Sequence, residues 1–266
     1  MENNSYLFKL VDDISCIAKK SGEIFKNAHA KNVDKKLNAR DLVTEYDKAV
    51  QDYIFSSLAS IYPEVILVGE ESGKLENYDV ENVKAFIIDP IDGTSNFVNE
   101  LSHSCVSIAY VEYGEVLAGV VYNPYKDHLY SAVRGNGAYC NGIKMQVSDD
   151  PLSEGLVGFG TAVYYDELIE ETKRIFGEVL VKCSDLRRMG SASIDLSLVA
   201  SGSFVGFFET RLCPWDYGAT ILFIEEAGGI ITDFSGNKLP LNKKSSVIAG
   251  NKTAYKELFD IINKKK

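Results

Sequence analysis

What is scarce in this chain narrows its chemistry first. Its five cysteines, Cys16, Cys105, Cys140, Cys183 and Cys213, are odd in number, scattered and never spaced as C-x-x-C. Neither a disulfide framework nor a zinc site is indicated, and buried free thiols are expected. The three histidines, His29, His103 and His128, stand isolated, and a lone histidine is more often surface or core structure than a ligand. No apolar run approaches the roughly 20 residues of a membrane span. Met1-Glu2-Asn3-Asn4 lacks the basic flank and apolar core of a signal peptide, so no membrane partner and a cytoplasmic location are expected. Positive charge is also in deficit: 28 Lys and Arg against 38 Asp and Glu leave a net charge of -10. That balance argues against a nonspecific binder of nucleic acid or anionic membranes, and no nucleic-acid partner is expected. An anionic substrate must then be met locally, by bound metal or a small basic patch.

What is present is ordinary globular material. With 266 residues, 45% hydrophobic and 25% charged, the chain fits one large domain or two intimate halves. One stretch organises it, Lys84-Ala85-Phe86-Ile87-Ile88-Asp89-Pro90-Ile91-Asp92-Gly93-Thr94-Ser95-Asn96-Phe97. The apolar run reads as a buried strand, and the acids, proline and glycine that follow are read as ending it in a turn. Two carboxylates are thereby pointed at one place. Such a pair persists only with a cation between them or with one acid protonated, and the cation is the working hypothesis.

Around that stretch, Leu7, Leu10, Val11, Ile14, Ile17, Ala18, Ile24 and Phe25 recur at helical spacing and predict an amphipathic first helix. Residues 27–41 break the pattern and carry Lys31, Lys35 and Lys36 with Asn32 and Asn38, either a solvated loop or a basic lid over an anionic site. A second helix fits from Thr44, with Pro63 beyond its end and Asp47 in its first turn, where an acid is already explained by the helix dipole. Val65–Val68 is a short strand running into Gly69-Glu70-Glu71-Ser72-Gly73. Two neighbouring strands would so deliver acids to one mouth.

Cys105–Tyr113, Val116–Tyr122, Leu129–Val133 and Ala138–Cys140, separated by turn residues, predict an antiparallel meander. The second half alternates. Strands are expected at 156–160, 179–183, 204–209, 230–232 and 247–249, with helices at 165–176, 194–200, 217–227 and 255–263.

The combination Gly69-Glu70-Glu71, Asp89-Pro90-Ile91-Asp92-Gly93-Thr94 and Trp215-Asp216-Tyr217-Gly218-Ala219 resembles the inositol monophosphatase family of magnesium-dependent, lithium-sensitive phosphatases. Both family signatures are intact, and their order and separation match along nearly the whole chain. The resemblance implies a layered α+β sugar-phosphatase fold: an N-terminal antiparallel sheet with two helices over residues 1–145, and a smaller sheet flanked by helices over 146–266. The active site would lie at their junction. Two or three Mg2+ ions per site are implied, a first on Glu70, Asp89 and the Ile91 carbonyl, and a second on Asp89, Asp92 and Asp216. A hard cation on carboxylates needs neither imidazole nor thiolate.

Gly93 and Thr94 would cradle the phosphate at a helix start, with Asp92 and Asp216 also touching substrate. The implied reaction is in-line attack by a metal-activated water without a phosphoenzyme. Thr94 and Asp47 match the pair that orients or deprotonates this water, with Glu70 as competitor for that role. An aspartyl-phosphate mechanism usually needs D-x-D at the strand end, whereas the spacing here is D-x-x-D. Ser191, Ala192 and Glu209 would face the leaving alcohol, and Lys36 matches the loop near the metals. Arg187 and Arg188 are either surface charges or reach a second phosphate or an adenosine moiety. Trp215 would pack the turn that aims Asp216.

A homodimer acting on a small phosphate monoester, foremost myo-inositol monophosphate, is expected. The 2′-phosphate of NADP(H), fructose 1,6-bisphosphate and 3′-phosphoadenosine 5′-phosphate are alternative substrates. A regulatory binding protein built on the same fold is the alternative of another class.

Overall fold

The computed structural model of the chain describes residues 2–30, 33–36, 42–72 and 79–264. Lys31, Asn32, Asn38 and Gly73 lie outside the described residues. Among those described, no helix is long and apolar enough to cross a membrane, and the strands form three sheets.

The chain opens with α1 (Glu2–Phe25), a two-stranded hairpin of β1 (Val33–Lys35) and β2 (Leu42–Thr44), and α2 (Glu45–Ile61). The hairpin is a departure from the expected loop: pairing between flanking segments supplies order that the charged sequence did not advertise. A seven-stranded sheet follows, built from β3 (Ile66–Gly69), β4 (Lys84–Asp92), β5 (Cys105–Glu112), β6 (Glu115–Asn123), β7 (His128–Val133), β8 (Ala138–Cys140) and β9 (Ile143–Lys144) in that order. All its pairs are antiparallel except β3 with β4, which run parallel. Between β4 and β5 lies the short helix α3 (Thr94–Val98).

The second half contributes β10 (Leu156–Phe159), α4 (Ile169–Leu180), β11 (Asp185–Arg187), α5 (Ala192–Ala200), β12 (Gly206–Leu212), α6 (Pro214–Glu226), β13 (Ile230–Thr232), β14 (Ser245–Gly250) and α7 (Lys252–Ile262). Its strands form a mixed sheet in the order β11-β10-β12-β14-β13. The expected strand at 179–183 is corrected: α4 runs through Leu180, because Ile175 and Val179 continue its buried face, and the strand lies at Asp185–Arg187.

Strand alternation sorts the apolar residues into three cores. Phe86, Ile88, Ile108 and Val120 meet α1 and α2 through Leu10, Ile14, Val50 and Ile54. Ile87, Ala109 and Val121 from the first sheet, and Phe207 and Ala249 from the second, meet Leu196, Val199, Leu222 and Phe223 of α5 and α6. Phe208 and Ile248 turn the other way, onto Ile175 and Val179 of α4 and Leu258 and Ile261 of α7. The architecture is therefore α-β-α-β-α. α5 and α6 are apolar nearly all round because a sheet covers each side of them.

The middle layer sits close. A Cβ on Gly119 of β6 would lie 3.0 Å from the Ala219 Cα of α6, so glycine is what lets helix and sheet touch. Gly119→Val is expected to destabilise by about 1–3 kcal/mol, as overpacking does, measured as a lowered urea midpoint. An unchanged midpoint would rule out this close packing.

Candidate active site

The site begins with an irregularity in β4. The ladder to β5 pairs Asp89 with Ser107 and Asp92 with Cys105, a register shift that opposes three steps on one strand to two on the other. The strand therefore does not end at Asp89, as its composition suggested, but bulges through Pro90-Ile91 and resumes. A missing proline N–H is tolerated at such a bulge. In a regular strand, residues three apart face opposite sides. Here Ile91 is displaced onto the α1/α2 side with Phe86 and Ile88, and Asp92 is returned to the side that Asp89 occupies.

The opposing layer adds the third acid. α6 begins at Pro214, earlier than expected, so Trp215 and Asp216 belong to the helix itself. Asp216 Oδ2 accepts the Cys213 N–H at 2.7 Å, which fixes its rotamer at the helix start. One carboxylate oxygen each from Asp89, Asp92 and Asp216 lies within 4.8 Å of the others.

Asp92 is aimed from α5. Its Oδ2 accepts the Ser191 hydroxyl at 2.6 Å and the Ser193 N–H at 2.7 Å. The Ser193 hydroxyl donates to the Asp216 carbonyl at 2.8 Å, tying two acids together. Ser193 had no signal in the sequence beyond its place beside Ala192.

Burial pushes the carboxyls of Asp89 and Asp216 well above the usual range, and neighbouring carboxylates push the same way: Glu70, Asp92 and Asp216 on Asp89, and Asp92 and Glu70 on Asp216. Burial also raises Asp92, opposed by its hydrogen bonds from Ser191 and Ser193. Like charges held this close in a dry site require a cation or protons. An all-oxygen donor set with room for further ligands suits a hard divalent ion such as magnesium. The residues present fit it.

Glu70 follows β3, whose Gly69 pairs with Ile88, so the parallel strands do bring Glu70 and Asp89 side by side. The Lys36 ammonium binds Glu70 Oε1 at 2.7 Å and Glu71 Oε1 at 2.6 Å. Burial pulls the Lys36 pKa down, but the two glutamates outweigh it and hold the amine charged. Burial, with Glu70 alongside, pushes Glu71 up to about 7. The lysine is thus committed to the glutamates and leaves the aspartates unneutralised.

Asp47 is fully buried. Its Oδ2 accepts the Thr44 N–H at 2.7 Å and the Thr44 hydroxyl at 2.6 Å, closing a capping box, while Oδ1 lies 3.1 Å from Thr94 Oγ1. The Thr94 hydroxyl also lies 3.1 Å from the Ile91 carbonyl. Burial raises the Asp47 pKa, and the two Thr44 bonds oppose it. Gly93, with φ of +88°, is left-handed, and a Cβ there would meet the Gly190 and His103 carbonyls at 3.1 Å. Glycine is required by both conformation and space.

Lys36, Glu70, the three aspartates of the cluster, Gly93 and Thr94 line one cavity of about 950 Å³, with Asp47 behind Thr94 and outside the lining; the cavity also reaches Ser191, Ala192, Glu209, Arg188, Asp195, Arg211, Lys243 and Lys244. Glu209 Oε1 accepts the Ala162 N–H at 3.0 Å, and burial pushes its carboxyl up to about 7. The two arginines separate. Arg188 lines the cavity, whereas Arg187 is bound to Asp185 at 2.5 Å and to its neighbour's carbonyl. Asn96 was also unforeseen: its amide donates to the His103 carbonyl at 2.7 Å and the Met189 carbonyl at 2.8 Å, joining α3 to both walls.

Comparison with known proteins agrees with this geometry. The model of the "Inositol monophosphatase family" matches residues 11–265. The chain is 37% identical over 222 residues to "Nus factor SuhB" of Escherichia coli K12, covering 83% of this chain and 82% of that one. It is 36% identical over 229 residues to "Inositol-1-monophosphatase" of Rhizobium meliloti 1021, covering 84% of each. The solved structure of "extragenic suppressor protein suhB" from Bartonella henselae superposes with a TM-score of 0.88 at 32% identity, covering 96% of this chain and 98% of that one.

The crowded acids make the metal-free protein the strained form. Magnesium at about 100 times its Kd is expected to stabilise the chain by about 2.7 kcal/mol, seen as a raised Tm. Asp89→Asn should abolish that increment, yet melt no lower than wild type without metal, because it removes one of the repelling charges. A metal-free Asp89→Asn well below wild type would contradict the crowding.

Proposed function

The chain belongs to the inositol monophosphatase family, whose members are magnesium-dependent phosphatases, and we propose that its substrate is myo-inositol monophosphate, released as inositol and phosphate. The observation that carries the reading is the convergence of Asp89, Asp92 and Asp216 oxygens beside the Gly93-Thr94 turn in one cavity. In the proposed arrangement Glu70, Asp89 and the Ile91 carbonyl hold one ion, and Asp89, Asp92 and Asp216 hold another. Bound there, magnesium supplies a lowered water pKa and neutralises phosphate charge.

The protein's own groups do the rest. Thr94 Oγ1, placed between Asp47 Oδ1 and the Ile91 carbonyl, orients the attacking water by accepting its proton-bearing side. Its own proton is held toward Asp47 Oδ1. Asp47 can keep this role because its other oxygen is occupied by Thr44. Gly93 lets the phosphate approach the backbone closely, and the start of α3 presents N–H groups to it. On the far side, Ser191, Ala192 and Glu209 meet the alcohol, with Glu209 as acceptor.

A second reading keeps the chemistry and changes the ester. Arg188, Lys243 and Lys244 line the same cavity, which favours a substrate with another anionic group, such as the 2′-phosphate of NADP(H), fructose 1,6-bisphosphate or 3′-phosphoadenosine 5′-phosphate. A homodimer, lithium sensitivity and a cytoplasmic location go with either reading.

Assayed with Mg2+ across this panel, myo-inositol 1-phosphate is expected to give the highest kcat/KM. A higher value for a bisphosphate or nucleotide moves the assignment to that ester, and background rates on all of them overturn it. Thr94→Ala is expected to lower kcat by about 100-fold or more with little change in KM, as loss of a proton-handling group does. An unchanged kcat would remove Thr94 from the reaction.

A further inference from the structure

Among the described residues, two buried side-chain polar atoms are left without a hydrogen-bond partner. His103 Nε2 and Asp195 Oδ1 are inaccessible and accept or donate no hydrogen bond among the described residues. They face each other at 3.8 Å, too far for a hydrogen bond. A buried polar group without a partner is costly and calls for a reason. A purely structural ion pair would have closed to bonding distance, and this one has not.

Asp195 also stands beside the candidate site. It lies one helical turn beyond Ser191 and Ala192 on the same face of α5, and all three line the metal cavity. Although only 2% exposed, it is electrostatically coupled to Arg188, Asp92 and Glu209 across that cavity. Burial pushes its pKa up to about 6, opposed by His103 and Arg188. Behind it, His103 comes from the segment between α3 and β5. The His103 carbonyl is pinned by Asn96 of α3, which also pins Met189 next to Arg188. The phosphate turn and the alcohol wall are thereby held by one amide.

We propose that Asp195 is a specificity-determining residue that accepts a hydroxyl hydrogen of the leaving alcohol alongside Glu209, and that His103 is the positioning residue holding its carboxylate. Two acceptor carboxylates on one wall select a polyhydroxylated leaving group. In this arrangement the hydroxyl meets the Asp195 carboxylate from the cavity, while the inaccessible Oδ1 stays turned to His103. The inference rests on the reading of the substrate as a polyol monophosphate.

The test compares myo-inositol 1-phosphate with phenyl phosphate, whose leaving group offers no further hydroxyl, both assayed with Mg2+. In Asp195→Leu the ratio of kcat/KM for the inositol ester to that for the phenyl ester is expected to fall about ten-fold or more, because a site built to bond a hydroxyl loses that discrimination. The loss should appear as raised KM for the inositol ester, with phenyl phosphate within about two-fold of wild type. Asp195→Asn, which keeps size and one acceptor, should fall part of the way and decides the matter if the leucine variant fails to melt cooperatively. His103→Phe should raise KM for the inositol ester by a smaller factor and leave phenyl phosphate unchanged. An unchanged ratio in the asparagine and leucine variants, or parallel loss on both esters, overturns the assignment. Failure of the underlying reading looks different: wild type itself would show no magnesium-dependent hydrolysis of the polyol ester, and the role of Asp195 would fall with it.

Discussion

The repulsion among Asp89, Asp92 and Asp216 is the constraint around which the molecule is arranged. Three carboxylates sharing a space under 5 Å across, Asp89 and Asp92 buried and Asp216 half-buried, are held there against their charge by the rigidity of their supports. The bulge in β4 commits Asp89 and Asp92 to one face, and the start of α6 commits Asp216 to the same point. A site that is strained without a cation is by the same token a site that prefers one. The energy given up in holding the charges together returns as affinity for a divalent ion.

Rigidity comes from a device used twice. Asp47 and Asp216 each occupy the third position of a helix, and each spends Oδ2 on backbone at the helix start. The remaining Asp47 oxygen is thereby directed toward Thr94, and the Asp216 carboxylate is held in the aspartate cluster. Helix capping and the shape of the site are carried by the same side chains, so stability of the helix start and geometry of the site are coupled. The buried middle layer extends this. α5 and α6, clamped between two sheets, bring Ser191, Ser193 and Asp216 against Asp92 from across the fold.

Much of this was legible beforehand, and the misses have physical causes. The meander of β5 to β8, the early helices and the acids at adjacent strand ends followed from periodicity and turn residues, which report local preferences. The strand-breaking look of Asp-Pro-Ile-Asp was misleading, because a bulge accommodates proline and lets pairing resume at Cys105. The run Val179–Cys183 reads as a strand, but packing of Val179 on α7 made its start the end of α4 and moved the strand to Asp185–Arg187. Arg187 and Arg188 looked equivalent, but Arg187 closes β11 and binds Asp185 two residues back, while Arg188 follows the strand end and lines the cavity. His103 and Asp195 carried no motif at all; they are 92 residues apart in the chain.

By itself the sequence determined the donor chemistry: oxygen rather than nitrogen or sulfur, a hard cation rather than a soft one, and the acids that sit at turns. Those properties depend on residue type and short spacing, which the linear chain displays. Only the tertiary structure decided which acids share a point, which of two arginines lines the cavity, and that a buried aspartate and histidine face each other 3.8 Å apart without a hydrogen bond. Those depend on distances between segments far apart in the chain, set by a one-residue register shift and by the packing of two helices between sheets.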